Sequence, residues 1–272
     1  MTNVAILRTK PNFHNAAFGA IIRPMLPSSQ KARSTMATRR PAKVVAIIQS
    51  NYIPWKGYFD IIRRCDEFML FDEAQYTRRD WRNRNKIKTP NGLLWLTIPV
   101  NVKGKFTQRI DETTVSSTAW AQDHLKSIRY NYAKAPCFGE YFPKIEALYQ
   151  QVAQETHLSR INYALLRGLC DLMGIKTPLT WSTDYQSEQG RVERVLSLCL
   201  QAGATEYISG PSAKSYMDDD LFAAHGVKVT YMDYSRYPEY NQLYPPFEHG
   251  VSIVDLLLHV GDRALDYFQP WP

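Results

Sequence analysis

A short β-branched run that ends at a polar turn sets the fold of this chain. Residues 44–49 (VVAIIQ) have the composition of a strand that is covered on both faces of a parallel sheet. The run breaks at residues 50–54 (SNYIP), and from Trp55 to Cys65 apolar side chains recur at helical spacing. Residues 67–71 (EFMLF) predict a second strand. Because a strand, a helix and a strand in succession form the crossover unit of a parallel sheet, the pattern predicts an α/β opening.

Strand-like and helix-like segments alternate along the rest of the chain. After a hairpin turn at residues 90–92, we predict strands at residues 93–100, 206–209 and 227–232, and helices at residues 190–202, 217–225 and 252–259. Residues 118–176 are predicted to be mainly helical. The pattern therefore predicts one α/β domain over residues 43–272, with a mostly parallel sheet, helices on both faces and a helical insert in the middle.

The N-terminal segment differs in composition from this domain. Residues 1–43 contain eight basic residues and no Asp or Glu. Three interpretations of residues 1–42 are open: a disordered tail, a transit peptide of the mitochondrial kind, or translation from a start codon upstream of the native one. Met36, followed by Ala-Thr-Arg-Arg-Pro just before the first strand, is a natural alternative start. We expect the segment to be poorly ordered.

The net charge of +7 comes from this segment. Removing its eight basic residues from the total of 33 leaves 25 Lys and Arg against 26 Asp and Glu, which is a net charge of −1 for the rest of the chain. Proteins that bind DNA or RNA carry concentrated positive charge, so a nearly neutral domain gives no support for that function.

The cysteines are far apart and form no C-x-x-C pair: Cys65, Cys137, Cys170 and Cys199. This spacing argues against a zinc ribbon or a redox motif and indicates reduced thiols in a cytoplasmic protein. No apolar run approaches the roughly 18 residues needed to cross a bilayer, so no membrane partner is expected. Because no His, Cys or acidic group has metal-ligand spacing, we also expect no metal, and the sequence identifies no cofactor.

Polar residues follow three of the predicted strands. Ligands of an open parallel sheet bind beyond the carboxyl ends of its strands, so we predict a single substrate pocket at that edge. The predicted contributors are Gln49, Asn51 and Tyr52 after the first strand, Asp72 and Gln75 after the second, and Ser209, Gly210 and Lys214 after the strand at residues 206–209. The last loop could also bind an anion through its backbone N–H groups, although a Gly-Pro turn is common in loops of all kinds.

The densest polar signal lies between residues 77 and 86. Its candidate substrate-binding residues are Arg79, Trp81, Asn83, Arg84, Asn85 and Lys86. Arginine can form bidentate hydrogen bonds to phosphate or carboxylate, and the asparagine side chain carries both a hydrogen-bond donor and an acceptor. The plain alternative is a solvated strand edge with ordinary surface charge. Asn and Trp are not expected on an exposed face that has no function. The segment therefore predicts a binding site for a small, anionic substrate.

Two residues are candidates for catalysis. His124 lies on a predicted helix, and histidine titrates near neutrality, which suits a general base. A structural histidine on a helix is the competing interpretation. Asp72 is the carboxylate at the predicted sheet edge, where it could orient the acceptor of a transferred group.

Several segments together resemble the WbqC-like protein family. They are residues 49–59 (QSNYIPWKGYF), 83–85 (NRN), 97–100 (TIPV), 131–132 (NY), 135–136 (AP), 207–210 (YISG), Tyr216 and 252–257 (SIVDLL). The resemblance runs in order from about residue 44 to residue 268. The chain departs from the common pattern at Ser50, where proline is frequent, and at Ile48, where histidine or methionine is frequent.

The resemblance implies a role in surface-polysaccharide or modified-sugar biosynthesis. It favours acyl or aminoacyl transfer onto a nucleotide-linked amino sugar, with His124 as the base and the Arg-rich segment and Lys214 holding anionic groups. Two alternatives stay open: a non-catalytic small-molecule-binding or scaffold protein of the same pathway, and a nucleic-acid binder that uses the basic tail and the Arg-rich segment.

Overall fold

Strands and helices alternate from residue 44 to residue 260. The computed structural model describes residues 42–186, 188 and 190–269, and the interpretations of residues 1–42 concern residues that lie almost wholly outside this part. The strands are β1 (Val44–Ile48), β2 (Glu67–Leu70), β3 (Arg84–Thr89), β4 (Gly92–Thr97), β5 (Leu179–Trp181), β6 (Glu206–Ser209) and β7 (Lys228–Tyr231). The helices are α1 (Lys56–Arg64), α2 (Trp120–Tyr132), α3 (Phe138–Val152), α4 (Leu158–Leu172), α5 (Arg191–Gln201), α6 (Asp219–Ala224) and α7 (Ile253–Val260).

The main sheet has five parallel strands in the order β5-β2-β1-β6-β7. β1 is central, with Ala46 opposite Phe68 of β2 on one side and Ile208 of β6 on the other. A central strand is covered on both faces, which explains why β1 is apolar at successive positions. The predicted mostly parallel sheet is confirmed.

Side chains of the sheet alternate between two hydrophobic clusters. Val45 and Ile47 join the cluster that contains Leu198 of α5 and Phe222 of α6. Ala46 joins the larger cluster, which contains side chains of α1, α2, α3, α4 and α7. Because successive side chains of a strand point to opposite faces, the two clusters show that helices cover both faces of the sheet, as predicted.

A two-stranded antiparallel sheet, β3 and β4, stands beside the main sheet. Its turn falls at the predicted Pro90-Asn91-Gly92, where Gly92 has φ 102°. β3 was not predicted from the sequence, because its residues (RNKIKT) are mostly polar. The three-residue strand β5 was not predicted either.

The middle of the chain forms the three helices α2, α3 and α4, within the segment predicted to be helical. Their buried residues, such as Ile128, Tyr149 and Leu165, belong to the same cluster as Ala46 of β1. The description of this region as an insert stays a prediction. Among the described residues, no helix is both long and apolar enough to span a bilayer.

A buried carboxylate on α7 ties the C-terminal part of the domain together. Asp255 is fully buried and accepts hydrogen bonds from the hydroxyls of Tyr132 (2.7 Å) and Tyr240 (2.6 Å) and from Gln242 Nε2 (2.9 Å). The Tyr132 hydroxyl in turn accepts the Lys88 backbone N–H at 2.9 Å. One side chain therefore connects α7, α2, β3 and the loop before α7.

We predict that Asp255→Ala lowers the free energy of unfolding by about 4 kcal/mol, because each buried polar group left unpaired costs about 1–3 kcal/mol. Urea unfolding followed by circular dichroism measures the change. Tyr132→Phe, which removes one hydroxyl and leaves the carboxylate its other partners, is the matched control and should cost less. A loss below about 1 kcal/mol for Asp255→Ala would contradict the account.

Candidate functional site

The carboxyl ends of β1, β2 and β6 lie along one edge of the sheet, since the three strands are adjacent and parallel. The residues predicted after these strands are therefore neighbours along that edge. The single predicted pocket is instead divided: Asn51 and Asp72 line two different pockets, and Ser209 lines neither of them.

The first of these, the aromatic pocket, has a volume of about 430 Å³. Its walls come from the loop after β1, from β3 and the segment before it, and from the loops after β7. The lining residues are Asn51, Pro54, Trp55, Trp81, Asn85, Tyr234, His249 and Gly250. Trp55 and Tyr234 pack edge to face, with ring centres 4.9 Å apart. The pocket is thus mainly aromatic with a few polar groups, as is typical of small-molecule sites.

Buried polar side chains hold the loop after β1 that forms one wall. Asn85 donates to the carbonyls of Tyr52 (3.1 Å) and Ile53 (3.0 Å), and its Oδ1 accepts the Lys86 backbone N–H. The Tyr52 backbone N–H donates to the Trp81 carbonyl at 3.0 Å. Asn85, predicted to contact substrate, therefore lines the pocket but uses its amide to fix the loop.

Arg82 bonds two side chains that follow β1. Its guanidinium donates to the side-chain oxygens of Asn51 and Gln49, the latter at 3.1 Å, and lies 3.7 Å from Asp80. Gln49 and Asn51, predicted as substrate contacts, are thus joined to each other through an arginine that the prediction left out.

The Arg-rich segment forms an aromatic and cationic surface next to the aromatic pocket. The ring centres of Trp81 and Trp95 of β4 are 5.3 Å apart, and the Lys86 ammonium lies 5.6 Å from the centre of the Trp81 ring. The Arg84 guanidinium carbon lies 4.0 Å from the centre of the Trp95 ring, and the group donates to the carbonyl of Arg79. Arg79 itself is exposed. Among the described residues, the Lys86 ammonium has neither an ion pair nor a hydrogen bond.

Asn83 and the remaining predicted contacts lie elsewhere. Asn83 is buried and donates to the Ile98 carbonyl at 2.8 Å, and Gln75 is exposed and donates to the Phe106 carbonyl. Ser209 accepts the Tyr207 hydroxyl, and Lys214 lies over the Tyr231 ring. Gly210 reaches the aromatic pocket only through Tyr234, whose hydroxyl is 3.8 Å from the position of a Cβ at Gly210.

The second, acidic pocket has a volume of about 350 Å³ and lies over the ends of β2 and β5. Its lining residues are Leu70, Asp72, Glu73, Arg109, Asp111, Glu112, His157, Ser159, Arg160, Trp181, Ser182 and Thr183. The buried Asp72 accepts the Ser50 backbone N–H at 2.7 Å and the Ser159 hydroxyl. Burial raises the pKa of Asp72, and these hydrogen bonds oppose that rise.

His124 lies in the core, away from the walls of both pockets. It is 7% exposed, its Nδ1 accepts the hydroxyl of the buried Tyr52 at 2.7 Å, and the ring also bonds the Thr97 carbonyl. Burial lowers the pKa of His124 to about 4. A neutral ring with both nitrogens bonded is a structural arrangement; the catalytic role of His124 remains a prediction.

His249 is the histidine that sequence reasoning missed. It lines the aromatic pocket, and among the described histidines it alone makes no hydrogen bond; its Nδ1 is buried without a partner. Burial, and then the charge of Lys56, lower its pKa. The residue lies in a loop without periodicity or motif, so no sequence signal marked it. Among the described residues, no three His, Cys, Asp or Glu side chains gather as a metal site.

The position of Trp55 in the pocket wall depends on Gly57. A Cβ at Gly57 would lie 2.3 Å from the Trp55 ring. We predict that Gly57→Ala displaces the ring, shifts tryptophan fluorescence and destabilises the protein by about 1–3 kcal/mol, the usual cost of overpacking. Gly139→Ala in α3 is the control, since nothing lies within 4 Å of its Cβ position. That variant should be stabilised by about 0.5–1 kcal/mol; equal behaviour of the two variants would refute the prediction.

The pKa of His124 predicts a pH dependence of stability. Between its ordinary pKa near 6.5 and the folded value of about 4, the unfolded chain binds a proton that the folded chain does not. Stability should therefore fall as the pH drops through this window, by about 3 kcal/mol from this group. Urea unfolding at pH 7 and pH 4 measures it, and His124→Asn should lose that part of the slope. An unchanged slope would show that His124 is protonated in the fold.

Comparisons with known proteins agree with the resemblance seen in the sequence. The model of the WbqC-like protein family matches residues 49–267. The uncharacterised protein Rv1507c of Mycobacterium tuberculosis (strain ATCC 25618 / H37Rv) is 50% identical over 227 residues, which cover 84% of this chain and 98% of that protein. No solved structure matches the chain. On the family match and this relative, the chain belongs to the WbqC-like protein family.

Proposed function

We propose that this protein is a cytoplasmic transferase of surface-polysaccharide or modified-sugar biosynthesis, which transfers an acyl or aminoacyl group onto a nucleotide-linked amino sugar. The observation that carries the proposal is the aromatic pocket at the ligand-binding edge of the sheet, with His249 in its wall. The association of WbqC-like proteins with polysaccharide gene clusters supports the substrate class. Four free cysteines, three of them buried, support a reducing compartment.

The aromatic pocket suits the nucleoside end of such a substrate. Its volume of about 430 Å³ lies within the usual range for small-molecule sites. Trp55, Trp81 and Tyr234 offer ring faces and edges on which a base can stack, an interaction worth about 1–3 kcal/mol per base. The Asn51 amide nitrogen and the His249 ring, neither hydrogen-bonded to other described residues, can pair with polar groups of the ligand.

We assign the phosphates of a stacked nucleotide to the Lys86 ammonium. The Lys86 ammonium is held near the rings of Trp81 (5.6 Å) and Trp95 (5.3 Å) without a carboxylate partner among the described residues. An ammonium that is fixed but unpaired attracts phosphate at little cost in side-chain order. The proposed substrate is therefore anionic, as expected from the sequence.

Asp72 is the proton acceptor of the proposed reaction. It follows β2, the neighbour of β1, and burial raises its pKa, which makes its carboxylate a better base than one in water. In the transfer, Asp72 takes one proton from the substrate ammonium, and the resulting amine attacks the acyl carbon. The acyl carrier leaves with the bonding electrons and takes up the second proton of the amine. His249, neutral because its pKa is lowered, binds substrate without taking part.

One observation favours a non-catalytic binder as the second candidate. Both oxygens of Asp72 already accept hydrogen bonds, from the Ser50 backbone N–H and the Ser159 hydroxyl. The carboxylate therefore stabilises the fold by joining the loop after β1 to α4. This candidate predicts binding of the same ligand without chemistry.

Isothermal titration calorimetry with UDP-glucosamine tests the binding. Loss of the stacking face in Trp81→Ala should weaken the affinity about 10- to 100-fold, because stacking on one ring contributes about 1–3 kcal/mol. Tyr130→Ala removes an aromatic ring that is 84% exposed on α2 and does not line the aromatic pocket, so it should leave the affinity unchanged. No binding to the wild type, or equal affinities in all three proteins, would contradict the proposal.

Mass spectrometry of the sugar separates the two candidates. The wild type, incubated with UDP-glucosamine and acyl-coenzyme A or an activated amino acid, should add one acyl group to the amine. Asp72→Asn should abolish the addition while UDP-glucosamine still binds. Binding without any mass gain in the wild type would favour the non-catalytic function.

A further inference from the structure

The acidic pocket carries more negative than positive charge. Its charged lining groups are the carboxylates of Asp72, Glu73, Asp111 and Glu112, the guanidinium groups of Arg109 and Arg160, and the side chain of His157. Arg109 is matched within the pocket, since it pairs with both oxygens of Asp111 at 2.9 Å and lies 3.5 Å from Glu112. Four carboxylates against two guanidinium groups leave an excess of negative charge, which favours a cationic ligand over an anionic one.

Helix α4 begins at this pocket, but its N-terminus is not an anion site. Ser159 in its first turn donates its hydroxyl to the Asp72 carboxylate, so an anion of the protein already faces the positive end of the helix. The Asp72 carboxylate is thus part of the pocket wall.

A buried hydroxyl in the wall has no hydrogen-bond partner among the described residues. Ser182 is 1% exposed, lines the pocket, and its Oγ makes no hydrogen bond to any described residue. An unpaired buried hydroxyl is unfavourable unless a ligand or water satisfies it. Trp181, the neighbouring lining residue, stacks on Tyr163 at 5.2 Å and adds an apolar surface.

We propose that the acidic pocket is a binding subsite for a hydroxylated primary amine in its ammonium form, such as a hexosamine ring. The carboxylates accept hydrogen bonds from the ammonium and from ring hydroxyls, the Ser182 hydroxyl completes its bonding with a hydroxyl of the ligand, and Trp181 contacts the apolar face of the ring.

The two pockets are adjacent along the sheet edge. Ser50 donates its backbone N–H to Asp72 of the acidic pocket and precedes Asn51 of the aromatic pocket, and neighbouring strands lie only about 4.8 Å apart. A nucleotide-linked amino sugar could therefore place its base in one pocket and its amine in the other, beside Asp72. The inference rests on the proposed function only for this connection to the nucleotide.

The test uses the full chain and three free sugars that differ in charge. Saturation-transfer NMR and calorimetry at low salt should show that D-glucosamine binds, that D-glucose binds at least tenfold more weakly, and that D-glucuronate does not bind. Raising the salt should weaken the binding of glucosamine. Equal binding of glucose and glucosamine, or preference for glucuronate, would overturn the proposal.

Two variants locate the site. Glu112→Gln removes one pocket charge and should weaken glucosamine binding severalfold, whereas Glu140→Gln on α3 removes a charge from an exposed pair with Lys144 and should have no effect. Ser182→Ala should reduce the affinity severalfold without lowering the melting temperature, because its hydroxyl bonds no described protein group. If neither Glu112→Gln nor Ser182→Ala changes the affinity, the amine binds elsewhere.

Trp81→Ala separates this inference from the proposed function. It should weaken UDP-glucosamine binding and leave glucosamine binding intact. If glucosamine binds as described but UDP-glucosamine gains nothing from Trp81, only the proposed function fails. If UDP-glucosamine depends on Trp81 but glucosamine does not bind the acidic pocket, only this inference fails.

Discussion

The backbone of the loop after β1 is the constraint on which the site depends. Ile53, a buried β-branched residue, has φ 34°, a left-handed conformation that is unfavourable for its branched side chain. Such a residue persists only where its surroundings fix it, and here Asn85 bonds the carbonyls of Tyr52 and Ile53 while Asp72 bonds the N–H of Ser50. The loop then carries the walls of the aromatic pocket. The site is thus built on a loop made rigid by buried polar side chains.

Sequence reasoning succeeded where one physical signal dominates. The parallel sheet follows from apolar strands such as β1 alternating with amphipathic helices, and the edge that bears the pockets follows from the parallel order of β1, β2 and β6. β3 was missed because polar residues occupy two of its three buried positions, Asn85 and Lys88. The Asn85 amide nitrogen and the Lys88 ammonium bond distant segments of the chain, at Tyr52 and Gln242. No local pattern encodes such partners.

The candidate site was predicted less well, because the same chemistry serves binding and structure. An asparagine that can bond a ligand can equally bond a carbonyl, as Asn83 and Asn85 do, and the sequence does not say which. His124 and His249 illustrate the converse. The first lies on a helix near charged residues but is enclosed by Tyr52 and Thr97, whereas the second lies in an irregular loop and faces the pocket. Only the folded arrangement distinguishes the two.

A second influence on His249, after its burial, is the charge of Lys56, a buried lysine in the first turn of α1. Its ammonium donates to the Pro238 carbonyl at 2.8 Å and lies 5.1 Å from the centre of the Tyr237 ring. Burial lowers the pKa of Lys56 to about 8, so the group is still mainly charged at neutral pH. Burial lowers the pKa of His249, and the positive charge of Lys56 lowers it further. The aromatic pocket therefore presents a neutral imidazole, suited to hydrogen bonding with a base or sugar, and leaves the binding of phosphate to Lys86.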